Sequence, residues 1–135
     1  MSFDPEAEGW KHVARSGFSG HVGPIWTRRE GEGWAYGFLA DERHGNPRGF
    51  VHGGMLMTFA DHFMGFLSWE ASQKPSVTIQ LNTHFLDPAR PGDFVEGRGE
   101  VVRRTRSVNF MRGWLTVGDR QVAAMDGIWK IMGAP

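Results

Sequence analysis

There is no cysteine in the chain. A disulfide scaffold, a thiolate nucleophile and a Cys-ligated zinc are therefore excluded. Nor is there an excess of either charge, because fifteen Lys and Arg stand against fifteen Asp and Glu. A nucleic-acid-binding domain normally carries a clear basic excess, so nucleic acid is not an expected partner. No apolar run approaches the roughly 20 residues of a membrane span, and no membrane partner is expected. The N-terminal segment MSFDPEAEGW is acidic where a secretory leader would be basic, which points to the cytoplasm. Repeats, low-complexity tracts and composition breaks are lacking too. With 135 residues, an ordinary domain length, the expectation is one domain over residues 1–135.

What is abundant is glycine and aromatic surface. Nineteen glycines are about twice the usual share, and ten Phe and six Trp supply bulky apolar area from few positions. Residues around Pro5 to Ala14 predict a short helix. Gly23 to Arg29 and Gly33 to Ala40 predict two strands, separated by the hairpin signal Glu30-Gly31-Glu32. Asp41 to Phe50 reads as a loop. From Gly54 to Glu70 the segment GMLMTFADHFMGFLSWE is apolar around most of its circumference, which predicts a long helix covered on most sides.

After Pro75 the period drops to two. Val77, Ile79, Leu81 and Phe85 alternate with polar residues, predicting a strand with one face in a core. Phe94 to Arg103, Ser107 to Val117 and Gln121 to Met132 predict three more strands, and the last four are expected to form a meander. One helix cannot cover both faces of about six strands, so the sheet must curl around it. The fold class is α+β: one long central helix wrapped by a curved antiparallel sheet, the hotdog arrangement.

The segment Asn46-Pro-Arg-Gly-Phe-Val-His52-Gly53-Gly54, followed by Asp61, resembles the hotdog acyl-CoA thioesterases of the phenylacetate-pathway type. That family shows Asn, then His-Gly-Gly, then an acidic residue on the central helix, at the spacings found here. The following strand and turn, PSVTIQLNTHFLDPARPGD, is also similar, and the family's site Ser or Thr falls on Thr78. The resemblance implies hydrolysis of an acyl-CoA by a homodimer or homotetramer, with Asp61, His52, Gly53, Asn46 and Thr78 in the catalytic site. It departs in one hairpin. Where the family often carries Gly between basic residues, this chain has Arg103-Arg104-Thr105-Arg106.

Each of these residues has a functional reading and a plainer one. Asp61 lies between Phe59-Ala60 and Phe63-Met64, where burying a carboxylate is costly unless it is paired. It is either a structural Asp bonded to Thr58 or to a neighbouring subunit, or a general base or nucleophile. His52, Gly53 and Gly54 open the helix, whose first N–H groups lack intrahelical acceptors and can stabilise an oxyanion. The glycines otherwise serve a sharp turn into the helix. Asn46 touches the substrate region or simply makes the Asn-Pro turn. Arg103, Arg104 and Arg106 either meet coenzyme A phosphates or form a solvated hairpin tip, and Arg90 is the alternative cation. Nine residues of helix span about 13 Å, so His52 and Asp61 of one chain cannot both touch one thioester. A shared site requires two subunits.

No metal or cofactor is expected. His52 and His62 are ten residues apart, whereas zinc pairs on a helix sit four apart. There is no Gly-rich phosphate loop after a strand and no Gly-x-Ser-x-Gly elbow. Two other classes compete with hydrolysis. An enoyl-CoA hydratase would show a motif resembling Asp-x-Asn-Pro-hydrophobic-His, but here His44 takes the Asp position and His52 falls three positions late. A non-catalytic acyl-CoA-binding module would have little reason to place Asp61 in its central helix.

Overall fold

The computed structural model describes residues 2–133; residues 1, 134 and 135, part of the expected single domain, lie outside the described residues. The strands are β1 (Trp26–Glu30), β2 (Gly33–Leu39), β3 (Ser76–Phe85), β4 (Phe94–Arg104), β5 (Val108–Val117) and β6 (Arg120–Ile131), with helices α1 (Gly17–Val22) and α2 (Gly53–Ser72). They form a six-stranded antiparallel sheet in the order β1-β2-β4-β5-β6-β3. Among the described residues no helix is long and apolar enough to cross a membrane.

The central helix forms because 20 residues without proline supply good helix formers. Its start is capped by the His52 side chain, and Gln73, at φ 55°, closes its end in the left-handed conformation. Met55, Leu56, Phe59, Ala60, Phe63 and Met64 are buried, at the spacing of one helix face. They pack into a core with Val95, Met111, Leu115, Met125 and Trp129 of the sheet. Burying each of Phe59 and Phe63 contributes about 1.5–3 kcal/mol. Gly97 lets the sheet close on the helix, since a Cβ there would stand 2.5 Å from the Phe63 ring.

Three local expectations are corrected. Pro5 to Ala14 is not a helix: only the 3-10 turn Glu6–Glu8 forms, and Gly9 ends it in the left-handed region. Trp10 then turns inward against Phe94, ring centroids 4.9 Å apart, and the short helix falls later, at α1. The last four strands are not a meander either. β4, β5 and β6 are consecutive neighbours, but β3 crosses to pair with β6. Finally, β3 leaves most of its apolar side chains uncovered, with Leu81 the one packed against the core. Val77, Ile79 and Phe85 are 49 %, 56 % and 52 % exposed, because β3 is an edge strand with β6 as its neighbour.

A buried polar group fixes the far end of the helix to the sheet. Asn109 on β5 is fully buried, and its Nδ2 donates to Ser68 Oγ at 3.0 Å and Ser72 Oγ at 2.9 Å. Asn109→Ala removes both bonds, leaves the buried Ser68 hydroxyl without this partner and opens a void. Urea unfolding should show a loss of about 1–3 kcal/mol.

Candidate active site

The sequence-derived residues fall into three places. The first is the start of α2. Asn46 folds the preceding loop on itself, its Oδ1 accepting from Arg48 N at 2.9 Å and Phe50 N at 3.2 Å. That leaves the amide NH2 of Asn46 as the group it can offer a substrate. The loop is closed by the Gly45–Val51 bridge, and His52 N donates to His44 O at 2.7 Å. His44 is buried beneath it. It accepts from Asp41 N at 3.0 Å on Nδ1 and lies 2.7 Å from Val22 O on Nε2. Both ring nitrogens of His44 are engaged, so it is an anchor of the loop.

His52 Nδ1 accepts the Gly54 N–H at 2.7 Å. An N–H donor opposite Nδ1 puts the ring proton on Nε2. One helix-start donor is therefore occupied by the protein itself, and the oxyanion donors that remain are Gly53 N–H, first in the helix, and His52 Nε2–H. Neither glycine has a positive φ, so the turn into the helix is not what requires them. For Gly54 close approach is: a Cβ there would lie 2.8 Å from His52 Nδ1, whereas one on Gly53 would stand 3.2 Å from the ring of the exposed Phe85, which can shift aside.

The second place is mid-helix. Asp61 is exposed in the single chain, not buried as its apolar neighbours predicted, because it lies on the side of α2 that the sheet leaves open. Its Oδ1 accepts a hydrogen bond from Thr78 Oγ1. Thr58, the plainer partner, instead donates to Gly54 O at 2.8 Å. Thr78 reaches the helix through an irregularity. The β3–β6 register shifts between Thr78 and Gln80, so Thr78 faces Trp129 and Leu81 faces Gly127. The bulge at Ile79 puts Thr78 and Leu81 on one face although they are three residues apart. Strict alternation would have turned Thr78 away.

The third place is the tip of the β4–β5 hairpin. Thr105 substitutes well for a hairpin glycine: its Oγ1 donates to Val108 O at 2.7 Å and accepts from Val108 N at 3.0 Å. Arg104 and Arg106 line a cleft of about 430 Å³ with Ser72, Thr105, Ile131 and Lys74. Lys74 was not anticipated. It follows the helix in sequence but meets the hairpin only through the fold, and no motif marks it. Arg103 pairs opposite Phe110 within the sheet, outside that lining. Arg90 lies elsewhere, its guanidinium 5.0 Å from the Phe50 ring beside the Asn46 loop.

A curved sheet around one long helix, with a capped glycine pair at the helix start and a carboxylate on its open side, defines a hotdog protein. The model of the thioesterase superfamily matches residues 48–124, and a Pseudomonas aeruginosa protein provisionally named an esterase is 33 % identical over 114 residues, covering 82 % of this chain and 84 % of that one. The chain belongs to the thioesterase superfamily. Among solved structures, a hypothetical thioesterase of Streptococcus pneumoniae with coenzyme A superposes with a TM-score of 0.75 at 21 % identity, covering 82 % of this chain and 87 % of that one. The Escherichia coli PaaI protein from the phenylacetic acid degradation operon gives 0.68 at 19 % identity, covering 75 % and 73 %. At these identities the two structures speak for the fold.

The tautomer of His52 can be measured. Long-range 1H–15N spectra at neutral pH should show His52 protonated on Nε2 alone. A proton on Nδ1 would mean that the cap on Gly54 is not made and that both helix-start N–H groups are open.

Proposed function

We propose that this chain is an acyl-CoA thioesterase, a single hotdog domain over residues 1–135 that works as at least a homodimer, with each site shared between two subunits. The observation that carries the reading is the Asp61 carboxylate, held by Thr78 on an open side of the central helix, with no partner from its own helix start within reach. The family membership and the neighbour that binds coenzyme A support it.

The thioester carbonyl oxygen would meet Gly53 N–H and His52 Nε2–H of one subunit. As the carbonyl carbon is attacked, charge develops on that oxygen, and the donors stabilise it together with the positive end of the helix. Asp61 of the other subunit either takes a proton from the attacking water or attacks directly and forms an anhydride that water opens. Both routes release the free acid and coenzyme A. Thr78 holds the carboxylate in place, and Asn46, in the loop that delivers His52, would use its free amide NH2 to orient carbonyl or water. Two subunits are needed because about 13 Å of helix separates His52 from Asp61.

The exposed apolar edge of β3, where Val77, Ile79 and Phe85 lie open, is the surface a second copy would cover, since unpaired strand edges invite pairing. A hydratase reading is weakened by His44, whose ring nitrogens are taken up by Asp41 N and by Val22 O of α1. A pure acyl-CoA binder would not need Asp61.

Asp61→Asn should lower the release of free coenzyme A by about 10²–10⁴-fold, the usual cost of losing a positioned base, with thermal melting little changed. Near-normal turnover would sink the mechanism. The cationic cleft makes a separate prediction. Replacing Lys74, Arg104 and Arg106 with Ala should raise KM for acyl-CoA and flatten its salt dependence, because exposed phosphate contacts are screened. KM for an acyl-pantetheine lacking the nucleotide should change little. Equal losses on both substrates would assign the hairpin a structural role.

A further inference from the structure

The short helix α1 buries none of its own residues. It is held by its last carbonyls, which lack donors within the helix. Three consecutive ones are taken by a single 3-10 turn, Glu42–His44. Arg43 Nη1 donates to His21 O, Arg43 Nη2 donates to Gly23 O at 2.6 Å, and between them His44 Nε2 lies 2.7 Å from Val22 O. The Asp41 N–H donates to Nδ1 of the same imidazole, so the ring proton sits on Nε2 and that nitrogen is the donor toward Val22 O. Arg43 is half exposed, whereas His44 is only 4 % exposed, its ring edge-on to Phe38 with centroids 5.2 Å apart.

This grip reaches the candidate site in one step. His44 O accepts the His52 N–H at 2.7 Å, the bond that ties His52 to the scaffold outside its own helix. The other attachments of His52 belong to α2. Its carbonyl accepts from Met55 N at 2.9 Å and Leu56 N at 3.2 Å, and its ring accepts from Gly54 N at 2.7 Å. With both ends fixed, the residue stays extended at φ −61° and ψ 133°. A trans peptide opposes N–H to C=O, so the same anchors aim Gly53 N–H out of the helix start. The loop between His44 and His52 is pinned separately, by Asn46 N to Phe50 O and by Val51 N to Ala89 O, each at 2.7 Å. What the grip adds is the placement of that loop against α1.

We propose that His44 is a positioning residue for the oxyanion donors: its bond to Val22 O seats the turn on α1, and the seat sets where Gly53 N–H and His52 Nε2–H point. The inference rests on the thioesterase reading and adds to it a residue that touches no substrate. An oxyanion forms only as the carbonyl is attacked, so donors moved out of line cost turnover and leave ground-state binding nearly as it was. Arg43 closes the same grip from the solvent side.

The test separates the two ring nitrogens, with coenzyme A release measured over short-chain and aryl acyl-CoAs. His44→Gln keeps an amide N–H where Nε2–H stood; His44→Asn keeps an oxygen where Nδ1 stood and loses the reach to Val22 O. His44→Asn should lower kcat about 10–100-fold, the scale of a misplacement of about an ångström, with KM little changed, and His44→Gln should recover most of the loss. A glutamine variant as slow as the asparagine one, or a loss in KM rather than kcat, overturns the proposal. Amide hydrogen exchange gives a readout besides activity. In His44→Asn the His52 N–H should exchange about tenfold faster or more while Phe63 N–H, inside α2, keeps its protection, since local opening is separable from global unfolding. Equal acceleration at both reports a general loss of stability and overturns the proposal. If the asparagine variant does not fold, Arg43→Ala decides: kcat should fall about threefold or more with faster exchange at His52 N–H, and no change in either overturns the proposal. Wild-type protein that hydrolyses none of these substrates contradicts the thioesterase reading instead. The seat is then judged by exchange alone, and an unchanged His52 N–H in His44→Asn overturns it.

Discussion

One hydrogen bond, from Thr78 on the edge strand to Asp61 on the central helix, sets the terms for the rest of the site. A carboxylate amid Phe and Met is tolerable only where the helix emerges from the sheet, and that is the side next to β3. Turning Thr78 toward it takes the bulge at Ile79, which breaks the alternation of the strand. The strand that carries the bulge is an edge strand, and it keeps Val77, Ile79 and Phe85 at the surface of the single chain. The strand that positions Asp61 thus also carries the uncovered apolar edge.

At the other end of the visible helix face, the chain uses its own chemistry to limit what is available. His52 caps Gly54, so the helix start offers one backbone donor and one imidazole donor in place of two backbone donors. Gly54 is needed for the close approach of the His52 ring, and Gly53 lies next to Phe85. The loop that delivers His52 is held by Asn46 inside it and by His44 beneath it. Site and scaffold share these residues.

The fold was legible because its strongest signals are long. Twenty helical residues without proline and four extended segments of ten or more residues each leave little room for another architecture around one helix. Strand order was not legible in β3, since hairpin spacing says nothing about a strand that crosses to a distant neighbour. Its exposure was missed for a related reason: alternation shows that a strand has an apolar face, but not whether the same chain covers it. Asp61 and Thr78 were legible as partners in one site, but the bulge that turns Thr78 toward the helix was not, because it changes which face a residue occupies without marking the sequence. Lys74 carries no motif at all; it is brought to the hairpin by the fold.

The central claim is that one site draws His52 from one subunit and Asp61 from another. Mixing Asp61→Asn protein with His52→Ala protein, after dissociation and reassembly, and measuring coenzyme A release tests it directly. The account predicts that two nearly inactive preparations regain activity on mixing, up to one intact site per mixed dimer. Activity no greater than the average of the two parents, with mixed dimers verified by mass, would contradict it.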